Sequence, residues 1–486
     1  MKILFVTPEC APMVKTGGLG DVSAALPRAL KALGHEVVIL MPAYGGMAVD
    51  GQLEHITAVS ESGTWPAAQL LHTTRPDGMA VWLLSCPALY ASAVTPYGDP
   101  HHTSMHEQAL RFGLLSRVAA LLGTTASLCQ WKADIVHAND WPCGLAPLYL
   151  LGARAAGHRD AARCLFTIHN LAFQGVFPMS ACDVLDIADA YRGMEGVEYW
   201  GQLSMLKAGL QFADAITTVS PTYAREIQQP ALGFGLDGVL RSRSHHLHGI
   251  LNGIDRDIWN PATDTLISTP YTAENLLLKA QNKAALRQRL GLNNSPKPLF
   301  GFVGRLTEQK GIDFVLAGAP RLLTQGAQLA VLGRGDGSFE TSLSALAAAF
   351  PGQVHVALGF DEALAHQIEA GADCFLMPSR FEPCGLNQMY SQAYGTPPLV
   401  TCTGGLADTV CDLDGNPEQG TGFVMANATQ AAFDLAIDRA LAAWAQPARW
   451  RAMQVRGMRK DFGWSPSAMR YGALSLELLK MRPARA

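Results

Sequence analysis

The chain has 486 residues, of which 49% are hydrophobic and 16% are charged, as in a globular protein of two or three domains. Its 37 basic and 41 acidic residues give a formal net charge of −4, so no overall field favours nucleic acid or an acidic membrane. Ten cysteines occur without a C-x-x-C pair, which argues against a zinc or redox motif and predicts reduced thiols in the cytoplasm. No uncharged apolar stretch reaches about 18 residues, so no transmembrane helix is expected.

Short apolar or β-branched runs alternate with longer Ala/Leu-rich stretches, which is the rhythm of parallel βαβ units. The opening run is too short for a signal peptide and is predicted to be the first strand. The predicted strands of the first half are Ile3–Val6, Val37–Leu40, Ala80–Leu84, Ile135–His137, Leu165–Ile168 and Ala215–Val219. The rhythm restarts after a polar, proline-containing stretch at 291–298, with predicted strands Leu299–Val303, Gln328–Leu332, Val354–Leu358, Asp373–Met377 and Leu399–Thr401.

Two consecutive α/β domains with a cleft between them are therefore expected. We place the boundary near 249–252, where the sequence reads as a strand followed by a turn, giving domains of 1–250 and 251–464. Residues 263–296 are predicted to lead helically into the second sheet. A final helix, 465–486, is predicted from Ser465 as the capping residue and Pro466 at the first helical position.

A glycine-rich hexad occurs once in each half. Thr16-Gly-Gly-Leu-Gly-Asp21, preceded by Lys15, is echoed by Thr403-Gly-Gly-Leu-Ala-Asp408, and each follows a predicted strand. Glycines at such a turn let the backbone approach a ligand, and the following helix presents N–H groups to an anion. A single Gly-Gly turn is often only structural, so the duplication, with Lys15 leading the first copy, is the better evidence. No G-x-G-x-x-G follows the first strand, which disfavours a nicotinamide cofactor, and the chain has no P-loop motif.

Two cations follow the predicted strand 299–303. Arg305 and Lys310 lie five positions apart around a glycine-flanked turn, an arrangement that fits a diphosphate. They would neutralise the charge that develops as a nucleoside diphosphate leaves. The alternative interpretation is a pair of solvated surface cations. It is disfavoured because Lys15 and Glu382 also lie at strand–helix turns.

The segment 377–386 places the single acid Glu382 between a buried strand and a helix predicted from Asn387. Open α/β sheets bind ligands at the carboxyl ends of their strands. The backbone N–H groups of Cys384, Gly385 and Leu386 at the start of that helix would hold an anion. One carboxylate beside one anion site suits a sugar attached to a phosphate; the alternative is a turn with a surface acid.

Two further strand ends carry polar residues. Asp140 and His169 would hydrogen-bond to sugar hydroxyls, and Trp141 would either stack on a ligand or pack in the core. A lone histidine after a strand is more often structural. Asp255 and Asp257 form a D-x-D motif of the kind that holds a divalent metal in some glycosyltransferases, but the basic residues already compensate a diphosphate, so no metal is expected. No His/Cys cluster has metal-ligand spacing either.

These motifs occur together in one known family. The chain resembles bacterial glycogen synthase, the nucleotide-sugar glucosyltransferase shared with plant starch synthases, over nearly its whole length. The matching segments are Lys15–Leu19, His137–Trp141, Thr167–Asn170, Leu251–Asp255, Gly304–Gly311, Ser379–Leu386 and Thr403–Val410. The combination is specific to the family, although no single motif is.

The resemblance implies an α/β fold of the GT-B class, in which two Rossmann-like domains face a deep cleft. It assigns 1–250 to the acceptor side, with the helix 465–486 crossing back to that domain, and 251–464 to nucleotide-sugar binding. The implied reaction transfers glucose from ADP-glucose to the non-reducing end of an α-1,4-glucan such as glycogen, with retention of configuration. No metal, cofactor, nucleic acid or membrane is implied.

The resemblance also implies roles for single residues. Lys15 would contact the donor diphosphate, Arg305 and Lys310 would neutralise it, and Glu382 would bind the donor sugar. His169 would contact a glucose hydroxyl, and its backbone carbonyl would stabilise the oxocarbenium-like transition state, while Asp140 would line the sugar or acceptor side. The remaining donor-binding residues implied are Gly17, Gly18, Asp21, Asn170, Asn252, Phe360, Cys384, Gly385, Leu386 and Asn387.

Four positions depart from the commonest family pattern. Gly20 stands where alanine is usual, Asn139 where histidine is frequent, Phe360 where a tyrosine is expected against the adenine, and Asn387 where threonine is frequent. Phe360 keeps an aromatic face but lacks a hydroxyl. The alternatives left open are a UDP-sugar donor, a nucleotide-sugar epimerase, a pyridoxal-dependent glycogen phosphorylase, and a glucan-binding protein without catalysis. A phosphorylase would be much longer, and a binding protein would not need Arg305 and Lys310 beside Glu382.

Overall fold

The computed structural model of the protein describes residues 1–47, 49, 51–93, 95–97, 104–125 and 127–481. The chain forms two compact units. Unit 1 comprises Met1–Gly253 and Trp464–Ala486, and unit 2 comprises Ile254–Gly463. No helix in the described part of the chain has the length and apolar character needed to span a membrane.

Unit 1 is built around a nine-stranded sheet with the order β12-β11-β7-β6-β1-β2-β5-β4-β3. Its strands, and those of a small three-stranded sheet (β8-β10-β9), are β1 (Lys2–Val6), β2 (Glu36–Pro42), β3 (Glu54–Val59), β4 (Ala68–Thr74), β5 (Ala80–Ser85), β6 (Ile135–Asn139), β7 (Arg163–Ile168), β8 (Val176–Pro178), β9 (Glu198–Tyr199), β10 (Gln202–Ser204), β11 (Ala215–Thr218) and β12 (Leu247–Gly249). The helices of its first segment are α1 (Gly18–Ala32), α2 (Pro87–Tyr90), α3 (Met105–Leu122), α4 (Ala146–Ala155), α5 (Ala181–Val184), α6 (Met205–Phe212), α7 (Pro221–Glu226) and α8 (Asp237–Ser242).

The large sheet is parallel from β12 to β5, and β4 pairs antiparallel with both β5 and β3. All six strands predicted for this half lie in its parallel part, because strands buried on both faces show as continuous apolar runs. The antiparallel β3 and β4 were not predicted. Their sequences mix polar and apolar residues, and β3 is largely exposed at the edge.

Unit 2 contains a six-stranded, wholly parallel sheet with the order β15-β14-β13-β16-β17-β18. Its strands are β13 (Leu299–Val303), β14 (Gln328–Gly333), β15 (Val354–Leu358), β16 (Cys374–Met377), β17 (Pro398–Thr401) and β18 (Phe423–Met425). Its helices are α9 (Lys279–Leu290), α10 (Ile312–Thr324), α11 (Gly337–Ala349), α12 (Glu362–Gly371), α13 (Asn387–Ala393), α14 (Gly404–Thr409), α15 (Gln430–Trp444) and α16 (Pro447–Arg459).

The segment 263–296, which was expected to lead helically into the second sheet, is helical only in part. The α-helix covers only Lys279–Leu290, and the preceding segment is held by turns such as the one in which Asp264 Oδ1 accepts from the N–H of Leu266 (2.8 Å). Short polar side chains of this kind compete with helical hydrogen bonds by binding nearby backbone N–H groups.

The last helix, α17 (Ser465–Lys480), packs on unit 1, which confirms the crossing that the family resemblance implied. Tyr471, Leu474 and Leu478 are buried in one cluster with Ile3 and Phe5 of β1. The helix begins at Ser465 itself rather than after it, so Ser465 is not the cap. Residues 482–486 of the predicted helix lie outside the described residues.

Candidate active site

Each large sheet has a switch point beside its first strand, where the chain changes from adding strands on one side to adding them on the other. In unit 1 the chain moves from β1 to β2 on one side, and β6 adds on the other side of β1. In unit 2 it moves from β13 to β14, and β16 adds on the other side of β13. Open α/β sheets bind ligands at the carboxyl ends of the strands that flank such a switch point. The predicted residues follow these strands: Lys15 after β1, Asp140 after β6, Arg305 after β13 and Glu382 after β16.

The loop after β1 is organised by Glu9, a residue that the sequence analysis missed. The buried carboxylate accepts hydrogen bonds from the N–H of Thr16 (2.7 Å) and the N–H of Gly20 (3.1 Å), and so fixes the turn that carries Lys15. Burial raises the pKa of Glu9, while these hydrogen bonds act in the opposite direction. The available signal was an acid three residues after the end of a buried strand and six residues before the lysine.

Lys15 and Asp21 are brought together at the start of α1. Lys15 Nζ lies 2.9 Å from Asp21 Oδ1, and both side chains are about one-third exposed. Gly17 precedes the helix without a side-chain cap, and Gly18 is its first residue. A negatively charged ligand that reached Lys15 would therefore compete with Asp21 for the same ammonium group.

Asp140 and His169 follow neighbouring strands and are in direct contact. Asp140 has a left-handed backbone (φ 60°), and its Oδ1 accepts from the N–H of His169 (3.1 Å). Burial raises the pKa of Asp140 to about 7, although hydrogen bonds from the N–H groups of His169 and Asn170 act to lower it. Burial lowers the pKa of His169 to about 3, so its imidazole is neutral at physiological pH.

The tautomer of His169 follows from Asn139. The amide Nδ2 of Asn139 donates to the carbonyls of Val6 (3.0 Å) and His137 (3.2 Å), which leaves Oδ1 as the acceptor facing His169. His169 Nε2 therefore carries the proton and donates to Asn139 Oδ1 (3.0 Å). The other ring nitrogen, Nδ1, is consequently a hydrogen-bond acceptor suited to a sugar hydroxyl.

Glu382 lies in a tight polar cluster at the carboxyl end of β16. Its Oε2 accepts from Lys310 Nζ (2.5 Å) and from Ser379 Oγ (3.0 Å). The Glu382 side chain is 8% exposed, and that of Lys310 is 21% exposed. The structure thus brings together the predicted sugar ligand and one of the predicted phosphate ligands as an ion pair.

Backbone contacts fix the two loops that carry this pair. The N–H of Arg380 donates to the carbonyl of Gln309 (2.8 Å), and Arg380 Nη1 donates to the carbonyl of Glu308 (2.6 Å). Arg305 lies at the same turn but is exposed, with Nη2 3.3 Å from Gln309 Oε1. Of the two predicted phosphate cations of unit 2, Arg305 is the one that does not pair with Glu382.

The second glycine pair supports the Glu382 loop. Gly404 has a left-handed backbone (φ 44°), and a Cβ there would lie 1.8 Å from the carbonyl oxygen of Glu382. The N–H of Gly405 donates to that same oxygen (3.1 Å). These glycines therefore allow close approach of another backbone segment, where the sequence pattern predicted the approach of a ligand.

The remaining predicted residues are placed as follows. Cys384 is buried, Gly385 is left-handed (φ 71°), and Leu386 precedes the seven-residue helix α13. Asn387 Nδ2 donates to the carbonyl of Val303 (2.8 Å), and Asn170 Oδ1 accepts from the N–H of Ala172 (3.1 Å). The buried Oδ1 of Asn252 has no partner among the described residues. Phe360 is 80% exposed.

The D-x-D motif forms a local turn, with the N–H of Asp257 donating to Asp255 Oδ1 (3.0 Å). Across the described ranges, no three His, Cys, Asp or Glu side chains are grouped so as to hold a metal ion.

Comparison with known proteins agrees with this geometry. The family model described as starch synthase catalytic domain matches residues 2–242, and the model described as glycosyl transferases group 1 matches residues 283–454. The catalytic domain of starch synthase IV from Arabidopsis thaliana, bound to ADP and acarbose, superposes with a TM-score of 0.90 at 32% identity, covering 99% of each chain. The fold and these matches define a glycosyltransferase of the GT-B class.

Two curated relatives show which family of GT-B glycosyltransferases the chain resembles. The glycogen synthase of Paracidovorax citrulli is 62% identical over 477 residues, which is 97% of this chain and 94% of the relative. That of Aromatoleum aromaticum is 50% identical over 491 residues, which is 100% of this chain and 98% of the relative. The chain belongs to the glycogen synthase family, and the resemblance seen in its motifs is confirmed.

Proposed function

We propose that this enzyme transfers glucose from ADP-glucose to the non-reducing end of an α-1,4-glucan, with retention of configuration and without a metal ion. The observation that carries the proposal is the cluster of Glu382, Lys310 and Arg305 at the switch point of unit 2. A buried carboxylate paired with one cation, with a second and exposed cation on the same turn, matches a sugar joined to a diphosphate. The related starch synthase IV was solved with ADP and acarbose, which supports an adenine nucleotide donor.

The leaving group is the ADP diphosphate, whose charge grows as the bond to the sugar breaks. We assign Arg305 and Lys15 to this diphosphate, because each presents a partly exposed cation at a strand–helix turn. Lys310 neutralises the diphosphate and also holds Glu382 in place. Fixed cations aimed at developing charge lower the barrier without reorganising during the reaction.

The sugar is held by Glu382 of unit 2 and by His169 and Asp140 of unit 1. Glu382 accepts hydrogen bonds from glucose hydroxyls, and its charge favours the oxocarbenium-like carbon as the diphosphate departs. Neutral His169 accepts from a glucose hydroxyl through Nδ1, and its backbone carbonyl supports the same positive charge. His169 is not a general acid in this scheme, because its pKa is about 3. Asp140 lines the acceptor side.

The other donor contacts fall to residues around these groups. Asp21, Asn170, Asn252 and Asn387 supply polar atoms, and exposed Phe360 offers an aromatic face to the adenine. The backbone of Gly17, Gly18, Cys384, Gly385 and Leu386 supplies N–H groups to the phosphates.

The test is a transfer assay with ADP-glucose and UDP-glucose, each with and without glycogen, in the presence of EDTA. We expect glycogen-dependent release of ADP that is undiminished by EDTA, and NMR of the product should show new α-linkages. Activity lost on chelation and restored by Mg²⁺ or Mn²⁺ would revive Asp255 and Asp257 as a metal site. Turnover of UDP-glucose without glycogen would indicate an epimerase, and glycogen binding without turnover would indicate a binding protein.

A further inference from the structure

The loop that follows β14 carries one arginine between two glycines. It reads Gly333-Arg334-Gly335, and Arg334 is exposed. The side chain of Arg334 makes no hydrogen bond or ion pair within the described part of the chain. The nearby acid Glu340 instead accepts a hydrogen bond from the N–H of Gly335 through Oε1 (2.8 Å). The guanidinium group of Arg334 is therefore a cation that a ligand can reach without displacing a protein partner.

The backbone of this loop is locked to the loop that follows β13. The N–H of Leu306 donates to the carbonyl of Arg334 (3.0 Å). A Cβ at Gly333 would lie 2.0 Å from the carbonyl oxygen of Gly304, and a Cβ at Gly335 would lie 2.2 Å from that of Leu306. Because larger residues would clash at both flanking positions, Arg334 is the only side chain that this three-residue stretch displays.

The strand register places Arg334 beside Arg305, one of the two predicted phosphate cations of unit 2. A parallel bridge pairs Leu306 with Gly335 and continues the register of β13 and β14. One residue earlier, Arg305 lies opposite Arg334 on the neighbouring loop. Two exposed arginines at adjacent strand ends form a positively charged edge, which suits a ligand with more than one phosphate group.

On its other side the loop meets the segment that carries Phe360. Gly333 pairs with Leu358 of β15, and the N–H of Gly359 donates to the carbonyl of Gly333 (2.9 Å). The order along the edge of the sheet is therefore Arg305, Arg334 and then Phe360. Adjacent strands lie about 4.8 Å apart, so the outer two loops are separated by about 10 Å with Arg334 between them.

This order matches the parts of a nucleoside diphosphate. The proposed function gives the diphosphate to Arg305 and the adenine to Phe360, and the ribose and the α-phosphate join these two parts. We propose that Arg334 is a further donor-binding residue that contacts the α-phosphate where it joins the ribose. This inference rests on the proposed function, because it takes the donor to be a nucleotide sugar.

The contact serves binding more than turnover. The bond to glucose breaks at the β-phosphate, so the leaving-group charge grows mainly there. A contact to the α-phosphate is made almost equally in the ground state and in the transition state. Such uniform binding lowers KM without raising kcat. Arg334 is thereby distinguished from Arg305, whose loss is expected to lower kcat.

The test compares Arg334→Gln and Arg334→Lys with the wild-type enzyme. Loss of one charge-assisted hydrogen bond should raise the KM for ADP-glucose about 10- to 100-fold in Arg334→Gln, while kcat and the KM for glycogen stay unchanged. Arg334→Lys keeps the charge without the planar fork and should lie between the two. In titration calorimetry or competition, Arg334→Gln should weaken ADP and AMP by the same factor, because both contain the α-phosphate. The rise of the donor KM with ionic strength should be less steep in Arg334→Gln.

The chain supplies a matched control in Arg451→Gln. Arg451 lies on α16, is also exposed, and makes no hydrogen bond or ion pair with the described residues. Its replacement removes the same charge and should change neither the donor KM nor ADP binding. Because neither arginine holds another group in place, both glutamine variants should melt at the wild-type temperature.

Three results would overturn the assignment of Arg334. They are an unchanged donor KM in Arg334→Gln, a fall in kcat in place of a rise in KM, and weakened binding of ADP with unchanged binding of AMP. A lowered melting temperature of Arg334→Gln would indicate a structural role and overturn it as well. The two proposals fail separately: no transfer by the wild-type enzyme refutes the proposed function, whereas normal wild-type transfer with an unaffected Arg334→Gln variant refutes the role of Arg334 alone.

Discussion

Replacing Glu382 with glutamine keeps the shape of the side chain but removes its charge from the contact with Lys310. If Glu382 supports the positive charge of the transition state, its loss should lower kcat by about 10²–10³-fold, as for other single electrostatic contacts of this kind. The variant should bind ADP at least as tightly as the wild-type enzyme, because Lys310 Nζ is released from a carboxylate 2.5 Å away.

The stability cost of the same change follows from burial. A gross attraction of about 7 kcal/mol between two charges at this distance, with an effective dielectric constant near 20, is offset largely by desolvation. A net contribution of roughly 1.5–3 kcal/mol is typical of a hydrogen bond to a charged group. The melting temperature of the domain should therefore fall by several degrees, at roughly 2–4 °C per kcal/mol.

The chain supplies a matched control in Asp373→Asn. Lys283 Nζ lies 2.6 Å from Asp373 Oδ2, and the Asp373 side chain is 9% exposed, against 8% for Glu382. Asp373 directly precedes β16, so it lies at the opposite end of that strand from Glu382. Both variants should lose similar stability, but only Glu382→Gln should lose turnover. Equal kcat values for the two variants, or a Glu382→Gln protein that neither binds ADP nor folds, would return Glu382 to a structural role.

Three further predictions concern the other site residues. Arg305→Ala and Lys310→Ala should lower kcat by about 10²–10³-fold while glycogen binding is kept, and near wild-type turnover in either would refute its role. The folded pKa of Asp140, about 7, exceeds the unfolded value of about 3.9, so the stability that its protonated form supplies is complete below pH 4 and lost as pH rises through 7. Asp140→Asn should therefore gain stability over the wild type between pH 4 and pH 8, by up to the order of 4 kcal/mol in urea titrations, and an equal difference at both pH values would contradict this. The folded pKa of His169, about 3, lies below the unfolded value of about 6.5, so the stability that its neutral form supplies is present above pH 6.5 and lost towards pH 3. His169→Gln should therefore reduce the acid dependence of the unfolding free energy by up to about 1.4 kcal/mol per pH unit. An unchanged slope would show that the histidine is not buried in its neutral form.

The parallel strands were predictable because strands buried on both faces appear in the sequence as continuous apolar runs. Phe300 and Phe375, for instance, lie in runs that are apolar on both faces. The placement of polar residues at switch points was predictable for the same reason, since each motif lies in the loop that follows such a run. The antiparallel strands β3 and β4 have no continuous apolar run, because a strand that is partly solvated mixes polar with apolar residues.

The internal arrangement of the site was less accessible from the sequence. Spacing placed Lys310 and Glu382 at the same end of the sheet, but the 2.5 Å ion pair between them depends on side-chain positions 72 residues apart in the chain. The role of Glu9 depends equally on which N–H groups its carboxylate reaches. The glycines at 404 and 405 show most directly that a sequence motif does not fix its contacts. The glycine hexad begins α1 in unit 1, whereas the similar hexad in unit 2 packs against the backbone of Glu382 and Cys384.

The return of α17 to unit 1 sets the order in which the protein is completed on the ribosome. Residues 1–253 emerge first, but the apolar surface around Ile3 and Phe5 is covered only when Tyr471 and Leu474 have been made. The whole of unit 2 is synthesised in between. An incompletely covered unit 1 exposes apolar surface for that interval, a condition that favours aggregation and chaperone binding. A nascent chain that stops before residue 464 should therefore carry a complete unit 2 and an unfinished unit 1, so truncation at the end of the sequence destabilises its beginning.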